Sequence, residues 1–350
     1  MATDGPRILV LADCGAEVGG GHVMRCLALA QALMARGAAC AFMSPPDVAR
    51  VLDAFAPPGV DRQTAGAGPL HELIAATARA AEAWRADVVL VDHYGVDARQ
   101  EQLLSAGARR LVCIDDLADR PHACDLVIDP TLGREAAAYL PLTPEGCQIM
   151  TGPQYALLRP EYALARPAAL ARRRPAQPPQ RLLVSLGLMD LRGITGRVMN
   201  LLGSELDALE VDVVVGSGAT SLTWLRHRAE RNERLRVHVD TRDMAGLIAA
   251  ADIAVGAGGA SAWERAALGL PSLGLILAAN QAAATLELDR QGAVLAVEAR
   301  DKAFAEALPA AFRRLAASAE LRVQLSQASA ALCDGKGAER AADAMIGLLA

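Results

Sequence analysis

The stretch GGGHVMRCLALAQALMARG, Gly19 to Gly37, follows the apolar run RILVLA at residues 7–12. An apolar run of strand length, a glycine turn and an apolar helical run make the strand–turn–helix step of an α/β domain. The pattern predicts a helix from about His22 to Arg36, closed by Gly37. Consecutive glycines cost backbone entropy, so Gly19, Gly20 and Gly21 point to a group approaching the turn closely. Backbone N–H groups there can face a phosphate or a sugar, and a helix N-terminus adds partial positive charge. His22 then sits on the first helical turn, where an imidazole is favoured as the neutral ring and can take up a proton. Taken alone, the same glycines also fit a plain tight turn with an exposed histidine.

Working outward, β-rich runs alternate with helical patterns. CAFMS (40–44), a helix at about 71–84, DVVLVD (87–92), RLVCID (110–115) and DLVID (125–129) come first. The proline-, arginine- and alanine-rich segment Arg166–Gln180 reads as a linker. After it the alternation restarts with RLLVSL (181–186), a helix near 195–202, VDVVVG (211–216), a helix near 221–229 and LRVHV (235–239). A helix at about 244–251, IAVG (253–256), a helix opening near Ala260 and PSLGLIL (271–277) follow, and 301–350 is helical in pattern. Alternation of this kind builds parallel sheets, so the expectation is α/β with two Rossmann-like domains and a cleft between them. The domains are expected at 1–165 and 181–350, joined by the 166–180 linker, with the last helix packing back on the first domain.

The chain has 350 residues, 53% of them hydrophobic and 21% charged, enough for sizeable cores in two domains. No run of roughly 18 apolar residues and no signal-peptide pattern appears, which places the expected protein in the cytoplasm and off the membrane. Cysteines 14, 26, 40, 113, 124, 147 and 333 form no CxxC pair, so reduced thiols are expected, with neither disulfides nor zinc. A net charge of −5 without a basic aromatic cluster argues against nucleic acid as a partner.

Further candidate groups follow other strands, where ligands of such sheets bind. GAGGASAWERAALGLPSLGLILAANQ (256–281) places Gly258, Gly259 and Ser261 in a second glycine turn and Glu264 about one helical turn later. Glu264 is there to accept hydrogen bonds from ribose hydroxyls, or it pairs with Arg265 or Arg242 on a solvated face. Asn280 and Gln281 either orient a sugar or cap the helix they begin. Tyr94, in DHYG (92–95), offers a ring face and a hydroxyl to a sugar, or packs against a loop. The paired acids of IDDLADR (114–120) suggest a metal site less than a turn cap, since no histidine lies at ligand spacing.

Together GGGHVMRCLALAQAL, VDHYG, IDDLADRPHACDLVID, GPQYALLRPEY and GAGGASAWERAALGLPSLGLILAANQ resemble, in order, the blocks of the UDP-2,4-diacetamido-2,4,6-trideoxy-β-L-altropyranose hydrolases of pseudaminic acid biosynthesis. The resemblance runs from about Ile8 to Gln281. It implies the glycosyltransferase-B architecture and metal-independent, inverting hydrolysis at the anomeric carbon, which releases UDP and a free sugar, with no cofactor. It also implies that His22 activates water, that Tyr94 and Asn280 contact the sugar or water, and that Gly258, Gly259 and Glu264 hold UDP. Asp13, Arg25, Gly187, Ser261, Gln281 and the Gly19–Gly21 turn complete the expected substrate-binding set. The expected partner is the UDP-sugar alone, on a monomer or weak oligomer, with flagellin glycosylation among the destinations of the product.

The chain departs from the resemblance at SLGLMDLRGIT (185–195), where relatives read SxGGxDPxNxT, so Leu188, Leu191 and Gly193 replace a glycine, a proline and an asparagine. Relatives also carry an arginine where Leu11 precedes Asp13. Two other readings share the motifs: a transferase of the lipid-linked N-acetylglucosaminyltransferase type, and a silent nucleotide-sugar binding module. The transferase would need an apolar, basic-rimmed membrane patch, for which the N-terminal half has no evident segment.

Overall fold

Strand β1 (Arg7–Ala12) is buried on both faces, with Ile8, Val10 and Ala12 in one core cluster and Leu9 and Leu11 in another. That two-sided burial is what a parallel sheet with helices on both faces requires of its central strands. In the computed structural model, which describes residues 5–15, 18–173 and 177–350, the chain forms two units: 1–160 with 336–350, and 161–335.

The first unit continues with α1 (Gly21–Met34), β2 (Ala39–Ser44), α2 (Pro46–Phe55), β3 (Asp61–Thr64), α3 (Leu70–Trp84), β4 (Val88–Asp92), α4 (Ala98–Ser105), β5 (Arg110–Ile114), β6 (Leu126–Asp129) and β7 (Gln148–Thr151). Its seven strands run in the order β3-β2-β1-β4-β5-β6-β7, every neighbouring pair parallel. Helix α1 buries Leu27, Leu29 and Leu33 under the sheet; each fully buried leucine stabilises the fold by about 2 kcal/mol. The helix ends at Met34, two residues before the predicted end, and the chain turns at Gly37 with φ +86°.

The second unit contains α5 (Pro160–Arg172), β8 (Arg181–Ser185), α6 (Ile194–Leu202), β9 (Glu210–Val215), α7 (Leu222–Ala229), β10 (Leu235–Val239), α8 (Met244–Ala250), β11 (Ile253–Ala257), α9 (Ser261–Ala267), β12 (Ser272–Ile276), α10 (Ala279–Arg290), β13 (Leu295–Glu298), α11 (Phe304–Ala317) and α12 (Ala319–Leu332). Its sheet is again parallel, in the order β10-β9-β8-β11-β12-β13. The last helix, α13 (Gly337–Gly347), belongs to the first unit and packs on α1, with Ala341, Ala342 and Met345 in the same core cluster as Leu29.

The linker reading of Arg166–Gln180 is corrected by α5, which carries Pro167 inside it and runs to Arg172. Arg166 explains the order: its guanidinium donates to the carbonyls of Ala330 (2.7 Å) and Cys333 (2.9 Å), and also to that of Ala267. Arg166 and Arg173, which make the segment look solvated, are groups that dock it, the second by donating to the Ile248 carbonyl at 2.7 Å. Residues 174–176 of the expected linker lie outside the described residues. The division therefore falls at residues 160/161 and 335/336 rather than within 166–180.

Candidate active site

In each sheet the chain order reverses at one place, between β1 and β4 in the first unit and between β8 and β11 in the second. The carboxyl ends of strands at such a reversal open a crevice for ligands. Asp13, the Gly19–Gly21 turn, His22 and Tyr94 follow β1 and β4, while Gly187, Gly258, Gly259 and Ser261 follow β8 and β11.

In the first unit, α1 places His22 and Arg25 three residues apart, so both face the end of β4. Asp92, the last residue of β4, is fully buried and takes both partners. His22 Nδ1 lies 2.6 Å from Asp92 Oδ1, and Arg25 forks onto the same carboxylate through Nε to Oδ2 and Nη2 to Oδ1, each 2.6 Å. Arg25 Nη1 donates to Asp116 Oδ2 at 2.8 Å, and the Tyr94 hydroxyl donates to Asp116 Oδ1 at 2.8 Å. The Tyr94 ring meets the His22 ring edge-on, with centroids 4.7 Å apart and planes at 86°.

Burial alone would push the Asp92 carboxyl up, but Arg25 and His22 outweigh it and hold the group well below the usual carboxylate range. Burial likewise disfavours the Arg25 charge, and the two aspartates reverse the effect and raise its pKa. An ionised Asp92 can only accept, so the proton of the neutral ring is assigned to Nδ1 and the lone pair to Nε2. His22 is thereby set up as a proton acceptor at Nε2. Gly19 has φ +74°, and a methyl at Gly19 or at Gly21 would meet no described atom within 4 Å beyond its chain neighbours and the backbone of its own helix, so space adjoins the turn among the described residues. Asp13 continues the β1–β4 pairing through its N–H to the Asp92 carbonyl, and its carboxylate is 3.7 Å from His93 Nδ1.

Behind Asp116 lies a second buried network, which the spacing of the acids does not reveal. Asp115 accepts from Arg120 (2.9 Å), the Tyr139 hydroxyl (2.8 Å) and the N–H of Ala118 (2.8 Å), with His122 Nε2 3.6 Å away. His122 Nδ1 lies 2.7 Å from Glu101 Oε1, which the Cys113 thiol approaches at 3.2 Å. Burial opposes the His122 charge, but Asp115 and Glu101 raise its pKa to about 9. Glu101, Cys113 and His122 are buried with ligand atoms within 4.8 Å of one another, the donor types of a divalent metal site. Those atoms are already hydrogen-bonded to each other, and the network ties the loop carrying Asp115 and Asp116 to α4 and β5.

In the second unit the glycine turn after β11 is held from beneath. The Thr285 hydroxyl donates to the Gln281 carbonyl (2.8 Å) and faces the Gly258 carbonyl (3.4 Å), and a methyl at Gly258 would lie 2.0 Å from it. Gln281 Oε1 accepts from the Leu277 N–H at 3.1 Å, which ties the first turn of α10 back to the chain leaving β12 without capping the helix, while Nε2 faces Gly259. Asn280 is exposed on the first turn of α10, and Glu264 is half-buried on the first turn of α9. Arg265 is buried, which corrects its reading as a solvated partner of Glu264; it donates to the Ser261 hydroxyl (3.2 Å) and the Ala257 carbonyl (2.7 Å).

The altered loop after β8 keeps a defined shape. Gly187, Asp190, Arg192 and Gly193 have φ of +102°, +44°, +54° and +67°. Asp190, 1% exposed, holds the turn by accepting from the N–H groups of Thr195 (2.8 Å) and Ser221 (2.7 Å), at the starts of α6 and α7. The glycine at 193, where relatives have asparagine, suits that left-handed position without strain.

No family model matches the chain. It is 30% identical over 192 residues to the spore coat polysaccharide biosynthesis protein SpsG of Bacillus subtilis, which covers 54% of this chain and 56% of that protein. It is 22% identical over 245 residues to the UDP-2,4-diacetamido-2,4,6-trideoxy-beta-L-altropyranose hydrolase of Campylobacter jejuni, covering 69% and 81% of the two chains. The match thus spans little more than half the length of the first relative. Among solved structures, the spinosyn rhamnosyltransferase SpnG complexed with thymidine diphosphate matches over 99% of both chains, at 18% identity and a TM-score of 0.61. The chain has the glycosyltransferase-B-like α/β fold and, in sequence, resembles the altropyranose hydrolase.

Proposed function

We propose that the chain is an enzyme acting on a UDP-linked sugar, and that it hydrolyses a UDP-linked 2,4-diacetamido-2,4,6-trideoxyhexose at the anomeric carbon. The observation that carries this reading is the dyad of His22 and the buried Asp92, which leaves a lone pair at Nε2 beside an open glycine turn. In this reading His22 Nε2 takes a proton from water as the water oxygen bonds to the anomeric carbon. The bond from that carbon to the diphosphate oxygen breaks with inversion, and UDP departs with the electron pair. UDP is a good leaving group, so no strong general acid and no metal are required. Backbone N–H groups at the glycine turns stabilise the charge that develops on the diphosphate.

Tyr94 and Asn280 are assigned to the sugar or the attacking water, and Asp13 and Arg25 to substrate binding. Gly258, Gly259, Ser261, Glu264, Gln281 and Gly187 are assigned to UDP, with Glu264 on the ribose. The similarity to the altropyranose hydrolase supports the substrate class and pseudaminic acid synthesis as the use of the sugar, with flagellin as one destination. The similarity to the spore coat protein makes a surface polysaccharide the other. The rhamnosyltransferase fold match keeps sugar transfer as the second reading. Among the described residues no helix is long and apolar enough to cross a membrane.

Chromatographic detection of UDP from the diacetamido-trideoxyaltrose nucleotide, with EDTA and no acceptor, tests the reading. Release supports metal-independent hydrolysis; release only on adding an acceptor would replace it with transfer.

A further inference from the structure

Arg265 heads the fully buried side chains by size, yet its bonded partners, the Ala257 carbonyl and the Ser261 hydroxyl, carry no charge, and its Nε has no hydrogen-bond partner. These two partners bracket Gly258 and Gly259, so the guanidinium lies directly under the turn. A methyl at Gly256 would fall 2.3 Å from Cζ, so the glycine there is what admits the charged group against the strand. Burying a charge is costly unless something neutralises it. Burial brings the Arg265 pKa down to about 10, and the nearby Glu264 only partly offsets this. Arg25 in the first unit shows the other solution: it is also buried but is forked onto Asp92 and bonded to Asp116.

We propose that Arg265 is a positioning residue for a nucleoside diphosphate, its buried charge drawing the ligand's diphosphate onto the Gly258–Gly259 turn while its two hydrogen bonds fix the turn's shape. The inference rests on the assignment of UDP to this turn and adds a residue to it. The uridine and ribose do not feel this charge strongly, since they are neutral. Arg265 therefore governs the preference for a diphosphate over a nucleoside rather than nucleotide binding as a whole.

The test is calorimetry of UDP and of uridine with the full-length wild type, Arg265→Lys and Arg265→Met, each at low and high salt. Arg265→Met is expected to lose about tenfold or more of the preference for UDP over uridine and to flatten its salt dependence, with uridine affinity within about twofold of wild type. Arg265→Lys, which keeps the charge, is expected to keep most of the preference, and it carries the test if Arg265→Met fails to fold. An unchanged UDP-to-uridine ratio in Arg265→Met, or its full loss in a folded Arg265→Lys, overturns the inference and leaves the nucleotide assignment standing. No binding of UDP by the wild type overturns the assignment and the inference together.

Discussion

The two sheet reversals hold equivalent places in their units and are furnished differently. At the first, Asp92, Arg25, His22, Asp116 and Tyr94 satisfy one another, so each buried charge has an opposite charge bonded to it. At the second, the groups on offer are backbone turns, carboxamides, hydroxyls and the Glu264 carboxylate, and the buried Arg265 has only neutral hydrogen-bond partners. A site that performs proton transfer needs its base oriented before substrate arrives, and fixed side-chain partners do that. A site that binds an anion can leave its positive charge for the ligand to balance. The first arrangement suits chemistry and the second suits binding.

This contrast can be broken most severely at Asp92. Asp92→Asn is expected to lower turnover by about 10²- to 10⁴-fold, as much as loss of the base itself, because the amide no longer enforces the Nδ1–H form of His22. It should also destabilise the fold by about 3–5 kcal/mol by leaving Arg25 short of a partner. Steady-state kinetics and denaturant unfolding measure the two effects. The Asp92 pKa is depressed in the fold, so its contribution to stability is present above the ordinary carboxylate range and is lost as pH falls through the depressed value.

The buried triad behind the first site gives the next effect. His122 is raised from its ordinary value of 6.5 to about 9, so its stabilisation is complete below 6.5 and is lost as pH rises through 9. The stability gap between wild type and His122→Leu should therefore shrink by about 3 kcal/mol between pH 6 and pH 10 in urea unfolding. A constant gap would mean that His122 has the same pKa folded and unfolded, and a gap that widens with pH that the fold holds it neutral.

Binding at the second site is tested by Glu264→Ala. UDP affinity should fall by about ten- to a hundredfold, the worth of hydrogen bonds to a charged acceptor, with turnover at saturation far less affected. Unchanged affinity in calorimetry would move the carboxylate off the ribose. The smallest effect is expected of Tyr94→Phe, which keeps the edge-on ring against His22 and loses the bond to Asp116. About 1 kcal/mol of stability, read by thermal unfolding, should go with it.

Much of this architecture is legible in the sequence, because strands such as RILVLA and DVVLV are buried on both faces and read as unbroken apolar runs. Strands β3 (DRQT) and β7 (QIMT) escape such a reading: they are the outer strands of their sheet, four residues each, the first wholly polar and the second with only Ile149 and Met150 apolar. The glycine turns and His22 stand out as local patterns, whereas Asp92 lies 70 residues from its histidine and reads only as an acid ending a strand. An acid closing an otherwise apolar strand was the available signal. Asp116 is harder still, since its role depends on Arg25 and Tyr94 arriving from two other elements. Arg265 misleads because an arginine beside a glutamate in a helix usually points to water, and only the glycine at 256 hints that it turns inward.

In the proposed mechanism His22 is the base of hydrolysis, oriented by Asp92. Its most direct test compares His22→Ala with wild type in single-turnover release of UDP from the diacetamido-trideoxyaltrose nucleotide, with UDP affinity measured on the same samples. The account predicts a rate lowered by about 10²- to 10⁴-fold and an unchanged affinity for UDP. A wild-type rate in the variant would remove His22 from the chemistry and contradict the account.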